Sequence, residues 1–173
     1  MPAKNIIIKS ATAGDVESTQ SLYAYHVEHG LGTFEEVVPA VAEMQRRFDT
    51  IRQNNLPYLI AKIDGEIVGY AYANYFRERS AYRFTLEDSI YVSHQHIGLG
   101  IGEALLSALI NECRDFGAIQ LLAVIGDSDN QGSIKLHRKL GFEDVGVMQN
   151  VGYKFERFVD VVIMQLNLVP SGE

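Results

Sequence analysis

Apolar residues recur along the chain with two different periods, and the switches fall at glycine, proline and aspartate. Ile6-Ile7-Ile8 reads as a short first strand. Thr12 to Asp15 has the look of a helix start, and helical character runs on to about His29. Gly30-Leu31-Gly32-Thr33 breaks it. Pro39 stands where a second helix can begin, because a first-turn N–H needs no partner. Val41, Met44, Phe48 and Ile51 then follow at spacings of three and four, the pattern of an amphipathic helix.

The period shortens after that. Tyr58 to Ile63 reads as a strand, Asp64-Gly65 as a two-residue hairpin turn with positive φ at both positions, and Ile67 to Tyr75 as the returning strand. Ser89 to Val92 is a further strand. A glycine-rich segment and a strong helix follow, with Leu105, Leu106, Leu109, Ile110, Cys113 and Phe116 on its apolar side. Leu121 to Ile125 is continuously apolar, as in a strand buried on both faces. Ser133 to Leu140 predicts a shorter helix, and Glu143 to Met148 and Phe158 to Leu168 predict closing strands. This order predicts an α/β chain of the mixed α+β kind, a mixed sheet with helices on both faces. The hairpin argues against a doubly wound parallel fold. No linker divides the chain, so residues 1–173 read as one domain.

Composition narrows the functions. A net charge of -7 and the lack of a basic run speak against nucleic acid as a partner. No stretch approaches the roughly 18 apolar residues of a membrane span. The lone cysteine, Cys113, rules out a disulfide framework within the chain and fits a reducing, cytoplasmic setting. His26 and His29, or His94 and His96, could share a face, but no carboxylate spacing completes a zinc motif around either pair. No metal site is expected.

The most informative segment is Ile97-Gly98-Leu99-Gly100-Ile101-Gly102, between a strand and a helix. Glycines let a ligand approach the backbone, and free N–H groups in the helix's first turn attract an anion such as a pyrophosphate. The lysine-serine pair of an NTPase loop is absent. A dinucleotide fold would place such a loop after its first strand, not past mid-chain. A turn with only structural duty is the remaining alternative.

Further along stand Asp129-Asn130-Gln131-Gly132-Ser133 and Ile134-Lys135-Leu136-His137-Arg138-Lys139-Leu140-Gly141-Phe142. With these the chain resembles the GCN5-related N-acetyltransferase (GNAT) superfamily over nearly its whole length. Thr33-Phe34-Glu35-Glu36, Ala81-Tyr82, Glu87-Asp88-Ser89-Ile90-Tyr91-Val92, Gly152-Tyr153-Lys154-Phe155 and Asp160 are similar to its phosphinothricin and methionine sulfoximine acetyltransferase branch. The resemblance implies a mostly antiparallel central sheet and acetyl-CoA as donor. It implies that Ile90, Tyr91 and Val92 pair with the pantetheine amides and that Gly98, Leu99, Gly100, Ile101, Gly102 and Glu103 form the pyrophosphate loop. Asn130 would reach the pantetheine, and Lys139 the adenosine phosphate. Where the superfamily usually carries Arg or Gln five residues after the strand valine, this chain has Ile97.

Acetyl transfer requires a neutral amine, and an α-amino group with a pKa of roughly 8 is largely protonated at neutral pH. A base near the amine removes that obstacle. Glu87, just before the strand, matches the branch's glutamate; an exposed strand-end carboxylate is the plainer reading. His137 stands seven residues after Asn130, where many superfamily members place a tyrosine. It could protonate the leaving thiolate or act as a second base, or merely pack its helix. An amino-acid acceptor needs a cation for its carboxylate, and Arg77, Arg79, Arg83 and Lys154 are available. Phe34 and Tyr82 could wall its pocket, together with Ser80 and Ala81. The expected acceptor is thus a small-molecule amine of phosphinothricin or methionine sulfoximine type. The alternatives are a protein N-terminus or lysine, or a CoA-binding module without catalysis. The branch further implies a homodimer.

Overall fold

A computed structural model describes residues 5–169. Four main helices and seven strands follow the predicted order: β1 (Ile7–Ser10), α1 (Val16–His29), α2 (Val41–Gln53), β2 (Tyr58–Ile63), β3 (Glu66–Tyr75), β4 (Thr85–Val92), α3 (Ile101–Phe116), β5 (Gln120–Gly126), α4 (Gln131–Lys139), β6 (Glu143–Lys154) and β7 (Arg157–Asn167). The strands form one sheet in the order β1-β2-β3-β4-β5-β7-β6. Every adjacent pair is antiparallel except β4 and β5. The expected mixed, mostly antiparallel sheet is therefore present.

Alternation along the strands sorts the layers. On one face Tyr23 of α1 packs edge-on to Tyr91, and Phe48 of α2 edge-on to Tyr58. Tyr58, Tyr70 and Tyr72 stack beside them. On the opposite face a Cβ placed at Gly69 would point at Leu105 and Ile101 of α3. Residues directly opposite one another in a ladder share a face. Pairing of Tyr72 with Ser89 and Tyr70 with Tyr91 therefore puts Glu87, Ser89 and Tyr91 on the α1/α2 side. Asp88, Ile90 and Val92 then face α3.

Four expectations shift. The hairpin is as predicted, with φ of 52° at Asp64 and 86° at Gly65. Helix α2, however, begins at Val41 with Ala40 as its cap, so Pro39 lies outside it. The Pro39 carbonyl is instead used by Gln20 Nε2 at 3.0 Å. Strand β4 starts at Thr85 rather than Ser89, because its first half pairs with both β3 and β5. Strand β6 continues to Lys154 across a register shift between Met148 and Gly152. Asp160 pins that irregularity, accepting from Asn150 N and from Ser128 Oγ at 2.9 Å each. Strand β5 is not buried throughout: Val124 is open on the side where β4 has left it.

Candidate active site

The parallel pairing of β4 and β5 is short. Thr85 to Asp88 lie opposite Gln120 to Ala123, and beyond that the two strands diverge. β4 runs on to Val92 beside β3, and β5 runs on to Gly126 beside β7. Ser89–Val92 and Val124–Gly126 thus face each other across a wedge with their inner edges unpaired. An extended guest carrying amides can add itself to such edges as a strand does. The wedge opens into a cavity of about 730 Å³.

Its far wall is the start of α3. Gly98 and Gly100 have φ of 81° and 82°, a region costly to any residue with a Cβ. Gly100 caps the helix, and the next backbone bond back to it comes only from Ala104 N. The N–H groups of the first turn stay free for an anion. A Cβ at Gly98 or Gly100 would meet no protein atom within 4 Å, so ligand access is open there. Gly102 differs: its Cβ would lie 3.1 Å from Leu136, so it serves the contact between α3 and α4. Ile97 is 75% exposed and lends the loop no side-chain contact of the kind an Arg or Gln would give.

Glu87 and His137 both line this cavity, from opposite faces of the sheet. Burial raises the Glu87 pKa, the charge of Asp88 raises it further, and Arg77 opposes them. Such a carboxylate is a better base than one in water. His137 is 1% exposed. Its Nδ1 lies 2.8 Å from the Ser133 carbonyl and its Nε2 3.0 Å from Asp88 Oδ2. A carbonyl only accepts, so Nδ1 carries a hydrogen. Nε2 faces a carboxylate, so the hydrogen on that side is shared between His137 and Asp88. Asn130 lines the cavity too, but its Oδ1 accepts from Ser133 N at 3.2 Å and so caps α4. Lys139 lies outside the cavity wall and bonds Glu103 Oε2 at 2.6 Å.

The cavity wall also includes Ile90, Tyr91, Val92, Gly98, Gly100, Ile101, Gly102 and Glu103, but not Leu99. Arg79, Ser80, Ala81, Tyr82 and Arg83 form an exposed turn before β4, away from the wall. There Arg83 bonds the Ser80 carbonyl at 3.0 Å and covers Phe84.

Lys154 requires a correction. It was expected to meet an acceptor carboxylate, yet it is 1% exposed. Its Nζ donates to the carbonyls of Gly30 at 2.8 Å and Thr33 at 2.9 Å. Burial lowers its pKa, with Glu36 and Glu35 opposing. Lys154 is thus an anchor for the loop between α1 and α2. Phe34, on that loop, lies over two glycines: a Cβ at Gly152 would come within 2.3 Å of its ring, and one at Gly126 within 3.1 Å. Tyr23 bonds Thr33 Oγ1 at 2.7 Å and also Glu35, which Arg47 holds with two bonds of 2.7 and 2.9 Å. Lys154→Met leaves two carbonyls without donors, at about 1–3 kcal/mol each. It should lower Tm and raise KM for the acceptor several-fold. Steady-state kinetics would check this, and an unchanged acceptor KM in a folded variant would deny the loop any part in acceptor binding.

Sequence reading missed His26, whose Nε2 lies 2.9 Å from the Val92 carbonyl beside the wedge. Burial lowers its pKa, so it donates there as a neutral ring. It also missed Asp88. The signal was present: Leu86, Asp88, Ile90 and Val92 alternate on one face, so the carboxylate falls in an otherwise apolar row.

A sheet split between two parallel strands, with a glycine-lined helix start at its mouth, is the architecture of an acyl-CoA-dependent acetyltransferase. The chain belongs to the acetyltransferase (GNAT) family, whose pattern it matches over residues 23–142. It is 47% identical over 151 residues to a phosphinothricin N-acetyltransferase of Alcaligenes faecalis, covering 87% of this chain and 77% of that one. It is 38% identical to an L-methionine sulfoximine/L-methionine sulfone acetyltransferase of Pseudomonas aeruginosa, over 95% of both chains. Among solved structures, a phosphinothricin acetyltransferase of Sinorhizobium meliloti in complex with acetyl-CoA superposes with a TM-score of 0.91 at 45% identity, over 94% of this chain and 88% of that one.

Proposed function

We propose that this enzyme, as one catalytic domain, transfers acetyl from acetyl-CoA to the primary amine of a small amino-acid analogue of phosphinothricin or methionine sulfoximine type. The amine attacks the thioester while both substrates are bound, so no acyl-enzyme forms. The observation that carries the reading is the wedge between β4 and β5, with a basic carboxylate on one face and a proton-bearing imidazole on the other. The sequence relatives support the acceptor class.

In this reading Gly98 to Glu103 hold the pyrophosphate through backbone N–H groups, and the edges of Ser89–Val92 and Val124–Gly126 take the pantetheine amides. Glu87 removes a proton from the amine as it attacks the carbonyl carbon. The C–S bond then breaks, and the His137 Nε2 proton goes to the departing sulfur. The cation whose charge reaches Glu87 is Arg77, and it is assigned to the acceptor carboxylate in place of Lys154.

Among the described residues no helix is long and apolar enough to cross a membrane. The buried lone Cys113 supports a reducing, cytoplasmic setting. A homodimer is supported by β6, an edge strand with Val145, Val147, Val151 and Tyr153 exposed.

The test is a panel of amines assayed by thiol release. Free methionine sulfoximine or phosphinothricin should exceed peptide N-termini and peptide lysines by at least about tenfold in kcat/KM. Preference for peptides by that margin would replace the substrate class. Release of no thiol with any amine would leave a binding module.

A further inference from the structure

We propose that Asp88 is a positioning residue for the acid step, holding the imidazole of His137 with its second ring hydrogen at the floor of the wedge. This rests on reading His137 as the acid.

The geometry comes first. Asp88 is the last residue of β4 paired with β5, opposite Ala123, so it stands at the vertex where the strands part. It is 7% exposed and lines the cavity. Its Oδ2 lies 3.0 Å from His137 Nε2. With Nδ1 already donating to Ser133, the pair holds one further proton between Nε2 and Oδ2. Imidazolium and carboxylate together are neutral, which is how two such groups can share a dry site. Phe142 packs edge-on to the ring at 4.9 Å and fixes its plane. Asp88 Oδ1 has no partner among the described residues, so no other donor dilutes the carboxylate's charge.

The surroundings leave this pairing undisturbed. Glu87 lies next along β4 on the opposite face, and Cys113 approaches from α3; both feel the Asp88 charge. Burial pushes the Cys113 thiol up to about 12, so it stays neutral. β5 brings only Leu122 and Ala123 to this level. On α4, Arg138 is paired with Asp144 and Lys139 with Glu103.

The step balances as follows. The amine nitrogen forms its bond to the carbonyl carbon and gives a proton to Glu87. The C–S electron pair leaves on sulfur, which takes the Nε2 proton. Neutral imidazole and the Asp88 carboxylate remain, and solvent reloads the pair as Glu87 returns its proton.

Asp88 thereby acts on both partners with one sign. Its negative charge favours the protonated form of His137 and of Glu87 alike. Asp88→Asn removes it, so both limbs of the kcat–pH bell should move to lower pH together, by about one unit. The KM for acetyl-CoA should stay within about twofold. A merely structural role would lower kcat without displacing both limbs.

The experiment measures kcat against pH with saturating acetyl-CoA and methionine sulfoximine for wild type, Asp88→Asn and His137→Asn. A shifted bell in D88N, with the basic limb lost in H137N, supports the proposal. A D88N bell that coincides with wild type overturns the role of Asp88 alone. An H137N variant with wild-type kcat and basic limb overturns the acid reading, and this proposal with it. Should D88N not fold, nitrogen-15 spectra of wild-type His137 at neutral pH decide: both ring nitrogens protonated is expected, and a bare Nε2 is contrary.

Discussion

Glu87→Gln should lower kcat by about 10²- to 10⁴-fold, the usual worth of a general base. The amide keeps the size and shape of the side chain but cannot take a proton. Among the described residues no side-chain hydrogen bond to the Glu87 carboxylate is made, so the exchange strands no donor there. Acetyl-CoA affinity should change little, because the pyrophosphate loop and the free strand edges are untouched. The pH dependence gives the sharper signature. Burial and Asp88 raise the Glu87 pKa, so its basic form is lost as pH falls through that raised value. The wild-type acidic limb reports this loss. In the variant the limb should follow the amine's own ionisation, and the defect should shrink as pH rises and more amine arrives neutral. The measurement is the kcat–pH profile of both enzymes with methionine sulfoximine. A variant with wild-type kcat and the wild-type acidic limb would remove Glu87 from the role of base.

Gly100→Val should weaken acetyl-CoA binding by at least tenfold, or about 1.4 kcal/mol. Two effects add. At φ of 82° a β-branched residue is strained, by roughly 1–2 kcal/mol. Its side chain also enters the space in front of the helix N–H groups, which is empty of protein atoms within 4 Å of a Cβ. Strain alone would lower Tm without blocking the ligand. Calorimetric titration of the folded variant therefore separates the two, and unchanged affinity would refute the loop assignment. Gly102→Val is a poorer probe, because its Cβ presses on Leu136.

Much of the fold is legible in the sequence. The period-two runs, Asp64-Gly65 and the apolar stripe of α3 are local signals, and local geometry followed them. The glycine loop was legible because φ is a property of single residues. What the sequence withheld depends on contacts far along the chain. Lys154 and the carbonyls of Gly30 and Thr33 are separated by 124 and 121 positions, and a lysine in a strand pattern looks exposed until the partner loop is folded against it. Asp88 and His137 are 49 positions apart and meet only because α4 packs against β5, next to the point where β4 and β5 part. The segment expected to help bind the acceptor, Arg79 to Arg83, is an exposed turn in which Arg83 also bonds the Ser80 carbonyl, a contact within the turn.

The open wedge also bears on the folding equilibrium. Ser89–Val92 and Val124–Gly126 do not pair with each other along their inner edges, since the β4–β5 ladder ends at Asp88 and Ala123. In the proposed binding mode a thioester completes the ladder there and binds the folded chain only. By mass action such a ligand at a hundred times its Kd adds about 2.7 kcal/mol to stability, a sizeable share of the 5–15 kcal/mol of an ordinary domain. The fraction of chains folded, and hence their survival against proteolysis, then rises and falls with the acetyl-CoA concentration around them.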